Sequence, residues 1–154
     1  MTPGKTVLLL ALLAPQPLLA DVAVKGLVAK PLTLSLAALR AYPAVHVTAT
    51  QATGRGANTL DCTGATVSGV LADAQPQYGT SKNARLAHTL LFTADDGYQV
   101  ALAVAETDVF PGKPTPILAT ACNGRDLDAP RLIVPADAGA GRAVNGVVSM
   151  ELKR

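Results

Sequence analysis

Leu90-Leu-Phe-Thr-Ala-Asp-Asp-Gly-Tyr-Gln-Val-Ala-Leu102 is the stretch that decides the fold. Two apolar runs meet across Asp96-Gly97, and a glycine takes the positive φ that a tight hairpin turn needs, so the spacing predicts an antiparallel hairpin. Further on, Ala129-Pro-Arg-Leu-Ile-Val-Pro-Ala-Asp-Ala-Gly-Ala-Gly-Arg-Ala-Val144 sets a short strand between Pro130 and Pro135 and follows it with a Gly-rich loop. That strand carries Arg131, a single cation in apolar surroundings.

Outward from this region the pattern stays β-rich. Leu86 to Thr93, Tyr98 to Val104, Ile117 to Ala121, Leu132 to Val134 and Val144 to Leu152 read as strands, and Asn123-Gly124 has the chemistry of a type I′ turn between Ile117 to Cys122 and Arg125 to Leu127. Upstream, Val22-Ala-Val-Lys-Gly-Leu-Val28 alternates as a first or edge strand with Gly26 placed for a bulge, and Leu32 to Leu34 is extended. Ser35 is placed to cap a short helix from Leu36 to Tyr42 ahead of Pro43. Val45 to Thr50 alternates as a strand, and Thr53-Gly-Arg-Gly-Ala-Asn58 reads as a loop. Val67, Val70, Leu71 and Ala74 lie at helical spacing, so a helix is expected from Val67 to Ala74, stopping before Pro76. Asp108 to Pro116 carries three prolines and a glycine and reads as a surface connection. Strands outnumber helices without regular βαβ alternation, which gives an α+β class, mainly β.

The N-terminus bears on the compartment. Lys5, the apolar run Val7 to Leu13 and the small-residue exit Leu18-Leu-Ala20 form a signal-peptide pattern, with cleavage expected before Asp21. Residues 1–20 are thus expected to be a signal peptide and 21–154 a single domain, exported to a periplasm or the extracellular space. The apolar run is too short to span a membrane, so no integral segment is expected after its removal. Loss of residues 1–20 takes the formal net charge from +2 to +1, with basic residues scattered singly. The chain has no Trp, two Phe and three Tyr. Phosphate-backbone and base-stacking binders need clustered cations and aromatics, so nucleic acid is excluded as an expected partner.

The order of pieces is more specific than any one of them. Strand, short helix, strand, loop, the helix entered through Gly64-Ala-Thr-Val-Ser-Gly-Val-Leu71, the Asp-Gly-Tyr hairpin, the Asn-Gly turn, Pro-Arg-strand-Pro, a Gly-rich loop and a final strand together resemble the molybdopterin-binding domain of the sulfite oxidase family. The resemblance implies a sulfite-oxidase-like fold with molybdopterin as the candidate cofactor. The family holds molybdenum with one cysteine thiolate in a Cys-Ala-Gly-Asn-like loop, a soft anionic ligand suited to that metal. Here the matching loop is Gln51-Ala-Thr-Gly-Arg55, and the ligand position falls near Ala52. The family's Val-Lys-Trp-like segment becomes Arg142-Ala-Val-Asn145-Gly146, without the lysine and tryptophan. No metal ligand is therefore assigned and no bound cofactor is expected, molybdopterin remaining the alternative.

By the same resemblance Arg131, Arg142 and Asn145 occupy the positions of the family's cofactor contacts, and guanidinium groups suit phosphate recognition. A structural ion pair of Arg131 with Asp126 or Asp128 is an equal alternative. For Cys62 and Cys122, a disulfide explains the pair better than a displaced metal ligand in an oxidising compartment, with two buried thiols as the alternative. His46 and His88 lack metal-binding spacing and read as structural or surface residues. Asp95, Asp96 and Asp108 suggest a carboxylate pair for acid/base work, but the first two flank a turn and read as turn residues, so no catalytic residue is assigned. Three functions remain: an exported binding or accessory module that takes an anionic small molecule or a partner protein, a molybdopterin-dependent oxidoreductase with an atypical metal site, and a purely structural or interaction domain.

Overall fold

A computed structural model describes residues 21–154, and the expected signal segment lies outside the described residues. The elements are β1 (Val22–Gly26), β2 (Leu32–Leu34), α1 (Leu36–Arg40), β3 (Ala44–Thr53), β4 (Gly56–Thr66), α2 (Val67–Asp73), β5 (Thr89–Ala94), β6 (Gln99–Ala103), β7 (Ile117–Cys122), β8 (Arg125–Ile133), β9 (Val144–Asn145) and β10 (Val147–Lys153). Short 3₁₀ turns occupy Ala84–Ala87, Val104–Thr107 and Ala140–Arg142.

The strands form two five-stranded sheets, ordered β2-β1-β10-β5-β6 and β3-β4-β7-β8-β9. Among the described strands β1 and β10 pair in parallel and the other strand pairs are antiparallel. The chain changes sheets at Gly146, between β9 and β10. This is a mainly β fold with two short helices, as the sequence pattern anticipates.

Two hydrophobic cores follow from strand alternation. Leu118 of β7 and Leu132 of β8 point into a large core with Val22, Phe92, Met150 and the α2 residues Val67, Val70 and Leu71. Their neighbours Ile117, Ala119 and Ile133 point the other way, into a smaller core with Val47, Ala49, Leu60 and Cys62. Strands covered on both faces need continuous apolar runs, which is why Ile117-Leu-Ala119 and Leu132-Ile-Val134 carry no polar residue. Each fully buried Leu or Ile contributes about 1.5–3 kcal/mol of transfer free energy.

The helix starts are set by side-chain caps: the Ser35 hydroxyl accepts from Ala38 N at 3.1 Å, and that of Thr66 from Gly69 N at 3.1 Å. The hairpin at Asp96-Gly97 forms as expected, with Tyr98 N donating to Asp96 Oδ1 at 2.9 Å. Asn123 and Gly124 both have positive φ, 51° and 74°, as a type I′ turn requires.

Three expectations need correction. Thr53 to Asn58 is a loop only at Gly54-Arg55, a two-residue turn: β3 and β4 form a long hairpin paired from Ala44↔Ala65 to Thr53↔Gly56. The stretch is rich in Gly, Ala and Asn because both its faces are exposed near the tip, so it lacks the apolar alternation that marks a strand. Pro130 does not bound a strand either; β8 runs through it. Between the pairs Ala121↔Asp126 and Ala119↔Arg131 the ladder loses register, and Pro130 sits in that irregularity, where no ladder N–H is required. Finally, Leu86 belongs to a 3₁₀ turn, and β5 begins at Thr89.

Candidate functional site

The C-terminal end of β3 and the loop after β8 meet. Ala52 N donates to Ala138 O at 2.8 Å, and Ala52 bridges Gly139 in a parallel sense. The loop 135–143 is thereby laid along the free edge of β3. It is fixed from the other sheet as well, because Tyr98 Oη donates to Gly141 O at 2.7 Å. The loop between β8 and β9 thus reaches the β3 edge at the other side of the same sheet.

Arg142 is the main fastener of that loop. Its Nε and Nη2 donate to the two carboxylate oxygens of Asp137 at 2.9 and 2.6 Å, and its Nη1 reaches Glu106 Oε1 at 3.0 Å. The Asp137 carboxylate, then that of Glu106, hold the guanidinium protonated beyond its usual range against the opposing effect of burial. Glu106 also accepts from Ala103 N at 2.7 Å, and Arg142 Nη1 reaches Ala101 O at 3.5 Å. Arg142 and Glu106 therefore cover outward-facing backbone groups on β6, an edge strand, while anchoring the loop. Beside this clasp lies a cleft of about 180 Å³ walled by Pro114, Pro116, Val134 and Pro135.

Arg131 differs from Arg142 in having no ion-pair partner among the described residues. It points from the same face of β8 as Ile133 and stands opposite Asn145 of β9, so the register brings Arg131 and Asn145 together. Its Nε is buried without a hydrogen-bond partner, and burial depresses its pKa. Neither Asp126 nor Asp128 pairs with it among the described residues; Asp126 lies 4.0 Å from Arg40 instead. Of the three residues the resemblance marks, Arg131 and Asn145 are neighbours with unclaimed polar groups, while the guanidinium nitrogens of Arg142 are all taken by protein.

The remaining candidates fall into structural roles. Cys62 and Cys122 are joined by a disulfide across β4 and β7. His46 Nε2 contacts the Asp61 carboxylate on the exposed face of the β3–β4 hairpin. His88 is buried, with Nδ1 2.8 Å from Ala84 O and its ring edge-on to Tyr78. Asp108 is paired with Arg85, whose Nη1 lies 3.1 Å from Asp108 Oδ2.

Gln51 escapes the sequence reading. It is 2% exposed at the end of β3, and its Nε2 has no partner. The signal was present in the alternation Val45, Val47, Ala49, Gln51, which sets an amide at an inward position. Glu106 and Asp137, the partners of Arg142, left no trace in sequence because they converge from separate loops.

This geometry can be compared with known proteins. The sequence matches the oxidoreductase molybdopterin binding domain over residues 15–144. The chain belongs to that family. Among solved structures it is similar to the sulfane dehydrogenase SoxCD from Paracoccus pantotrophus, with a TM-score of 0.70 and 18% identity, over 86% of this chain and 37% of that one. The chain thus spans well under half the length of that relative, and the likeness is one of fold. No curated protein sequence matches it. Membership of the molybdopterin-binding family agrees with the two-sheet architecture. No helix among the described residues is long and apolar enough to cross a membrane.

Proposed function

We propose that this chain is an exported binding or accessory module of the molybdopterin-binding family, one that lacks the molybdenum-ligating cysteine and takes an anionic ligand at Arg131 and Asn145. The observation that carries this reading is the unpaired, half-buried guanidinium of Arg131 beside Asn145. A cation withdrawn from water without a counter-charge is costly, and an anionic ligand supplies what the protein does not.

The donor set does not fit a molybdenum centre. A molybdenum ligand at the end of β3 calls for a soft thiolate, and the position there is Ala52, whose N–H is bonded to the loop at Ala138. Both cysteines of the chain are joined to each other, which leaves no thiolate for a metal. The disulfide also supports export, since such bonds persist in oxidising compartments. We therefore derive no redox step for this protein.

Elemental analysis of protein purified from its native exported pool tests the reading: no stoichiometric molybdenum is expected, and an intact mass beginning at Asp21. About one molybdenum per chain, lost on Cys62→Ser, would establish the oxidoreductase alternative, which family membership favours. Titration with inorganic phosphate tests the anion site. Binding is expected for the native protein and its loss in Arg131→Met.

A further inference from the structure

β3 is an edge strand, first in the order β3-β4-β7-β8-β9, and it pairs with β4 along its whole length without a slip. Gly54-Arg55 is a two-residue turn, so Thr53↔Gly56 is the hydrogen-bonded pair that flanks it, and such pairs recur at every second residue. Val45, Val47, Ala49 and Gln51 therefore direct their N–H and C=O groups to β4. Ala44, His46, Thr48, Thr50 and Ala52 turn theirs outward. The bond from Ala52 N to Ala138 O has this phase, because it uses one of the outward groups. Short of Ala52 the row is open: besides the β4 ladder, no backbone bond reaches residues 44 to 51 among the described residues.

The other edges among the described strands are managed. β2 has three residues and β9 two, and on β6 the outward Ala101 O and Ala103 N are met by Arg142 and Glu106. β3 runs for ten residues, Ala44-Val-His-Val-Thr-Ala-Thr-Gln-Ala-Thr53, with no proline, lysine or bulge to discourage pairing. A row of unpaired backbone groups of this length is a template for another strand.

We propose that β3 pairs with β3 of a second copy of this chain, antiparallel about a two-fold axis at Val47, joining two five-stranded sheets into one continuous sheet. This inference is independent of the anion site. The length of the open stretch selects the occupant. It ends on one side at Ala52, where the loop at Ala138 and Gly139 takes over the edge, and on the other at Pro43, which has no N–H and precedes the strand. In the register centred on Val47, Ala44 faces the partner's Thr50 and His46 faces the partner's Thr48. Every open outward group then has a counterpart, and neither strand runs into the loop. A two-residue shift one way would set Ala44 against the partner's Ala52, whose N–H is already bonded, and a shift the other way would leave Thr50 unpaired. Val47 meets the partner's Val47, and no like charges stand opposite each other. The pairing is isologous, so both edges are covered at once and assembly stops at two chains.

Light scattering and amide exchange on the exported protein, over a dilution series, test the proposal. Twice the single-chain mass is expected at high concentration, falling to half on dilution. The His46, Thr48 and Thr50 amides should exchange slowly in the dimer and fast in the single chain, whereas Val47 and Ala49, bonded to β4, stay protected throughout. Thr48→Pro removes an outward N–H where the β4 ladder needs none, so a folded single chain is expected. Thr48→Lys places a charge at the same point of the edge and should also give single chains, which keeps the test decisive if the proline variant does not fold. Thr48→Val keeps the backbone groups and should remain a dimer. A single-chain mass at every concentration overturns the proposal. So does a dimer whose His46, Thr48 and Thr50 amides exchange fast, since the contact then lies elsewhere. Slow exchange of these amides in single chains overturns it too, because the edge then has another occupant.

Discussion

Cys62 stands directly opposite Cys122 across β4 and β7, their Cα atoms 4.1 Å apart. So short a separation belongs to the non-hydrogen-bonded type of antiparallel pair, where side chains are closest. The backbone therefore presents the two thiols to each other through strand register alone. The bond closes a segment of 60 residues that includes the end of β4, α2, β5 and β6. It ties the sheet where β4 leaves β7 to continue as the free hairpin with β3.

Reduction of this bond, or its removal in Cys62→Ala/Cys122→Ala, is expected to destabilise the protein by about 4 kcal/mol, the chain-entropy value for a loop of this length. Urea melts with and without a dithiol reductant measure it. Coincident melts would show that the bond contributes nothing.

Gly64 lies where β4 passes closest to β7. A Cβ built there would sit 2.1 Å from Leu118 O and 2.6 Å from Ala119 Cα, both backbone atoms that cannot yield without moving the strand. Gly64→Ala is expected to cost on the order of 3 kcal/mol or more, with loss of soluble protein. Gly139→Ala, with nothing within 4 Å of the added carbon, is the neutral control. Equal melting temperatures for the two variants would refute the close-approach account.

Arg142→Met removes both carboxylate contacts at once. The Asp137 side chain is 17% exposed and that of Arg142 33%, between an open surface pair and a buried one. A destabilisation of about 2 kcal/mol is expected, midway between the typical values for those extremes. It should come with faster amide exchange along loop 135–143 and at the outer edge of β6. Exchange confined to the loop would mean that Arg142 does not protect the β6 edge.

Tyr42 predicts an alkaline transition. Burial first, and then the neighbouring Asp73 carboxylate, push its phenol from 10.0 up to about 12. A group whose pKa is raised on folding stabilises the native state while it is protonated in both states, below pH 10. That contribution is lost as pH rises from 10 through about 12, because the unfolded chain ionises first. Tyr78, also raised by burial, acts in the same direction. Unfolding free energy is expected to fall between pH 10 and about 12, less steeply in Tyr42→Phe. Equal slopes for the two proteins would remove Tyr42 from the account.

Local chemistry carried much of the fold in the sequence. Asp96-Gly97 and Asn123-Gly124 specify their turns through two-residue backbone geometry, and Ser35 declares a helix start, so neighbours along the chain suffice to read them. The order of such features was enough to show family resemblance. The sequence failed where the deciding partner was distant. The exposed hairpin end at Thr53 to Asn58 pairs through backbone groups, which leave no mark on composition. Pro130 looked like a boundary because its tolerance depends on a register slip in β7 and β8.

The site divides in the same way. Sequence alone determined that Arg131 lies in an apolar strand and that two cysteines were present to pair, and it gave, through the resemblance, the expectation that Ala52 stands where the family carries a thiolate. Only the tertiary structure decided the rest. It matched Cys62 with Cys122 by register, gave Arg142 to Asp137 and Glu106, left Arg131 without a carboxylate, and buried the amide of Gln51. The physical reason is that residue type fixes what a side chain can donate or accept, whereas burial and partnership arise from strands brought together across long separations in sequence.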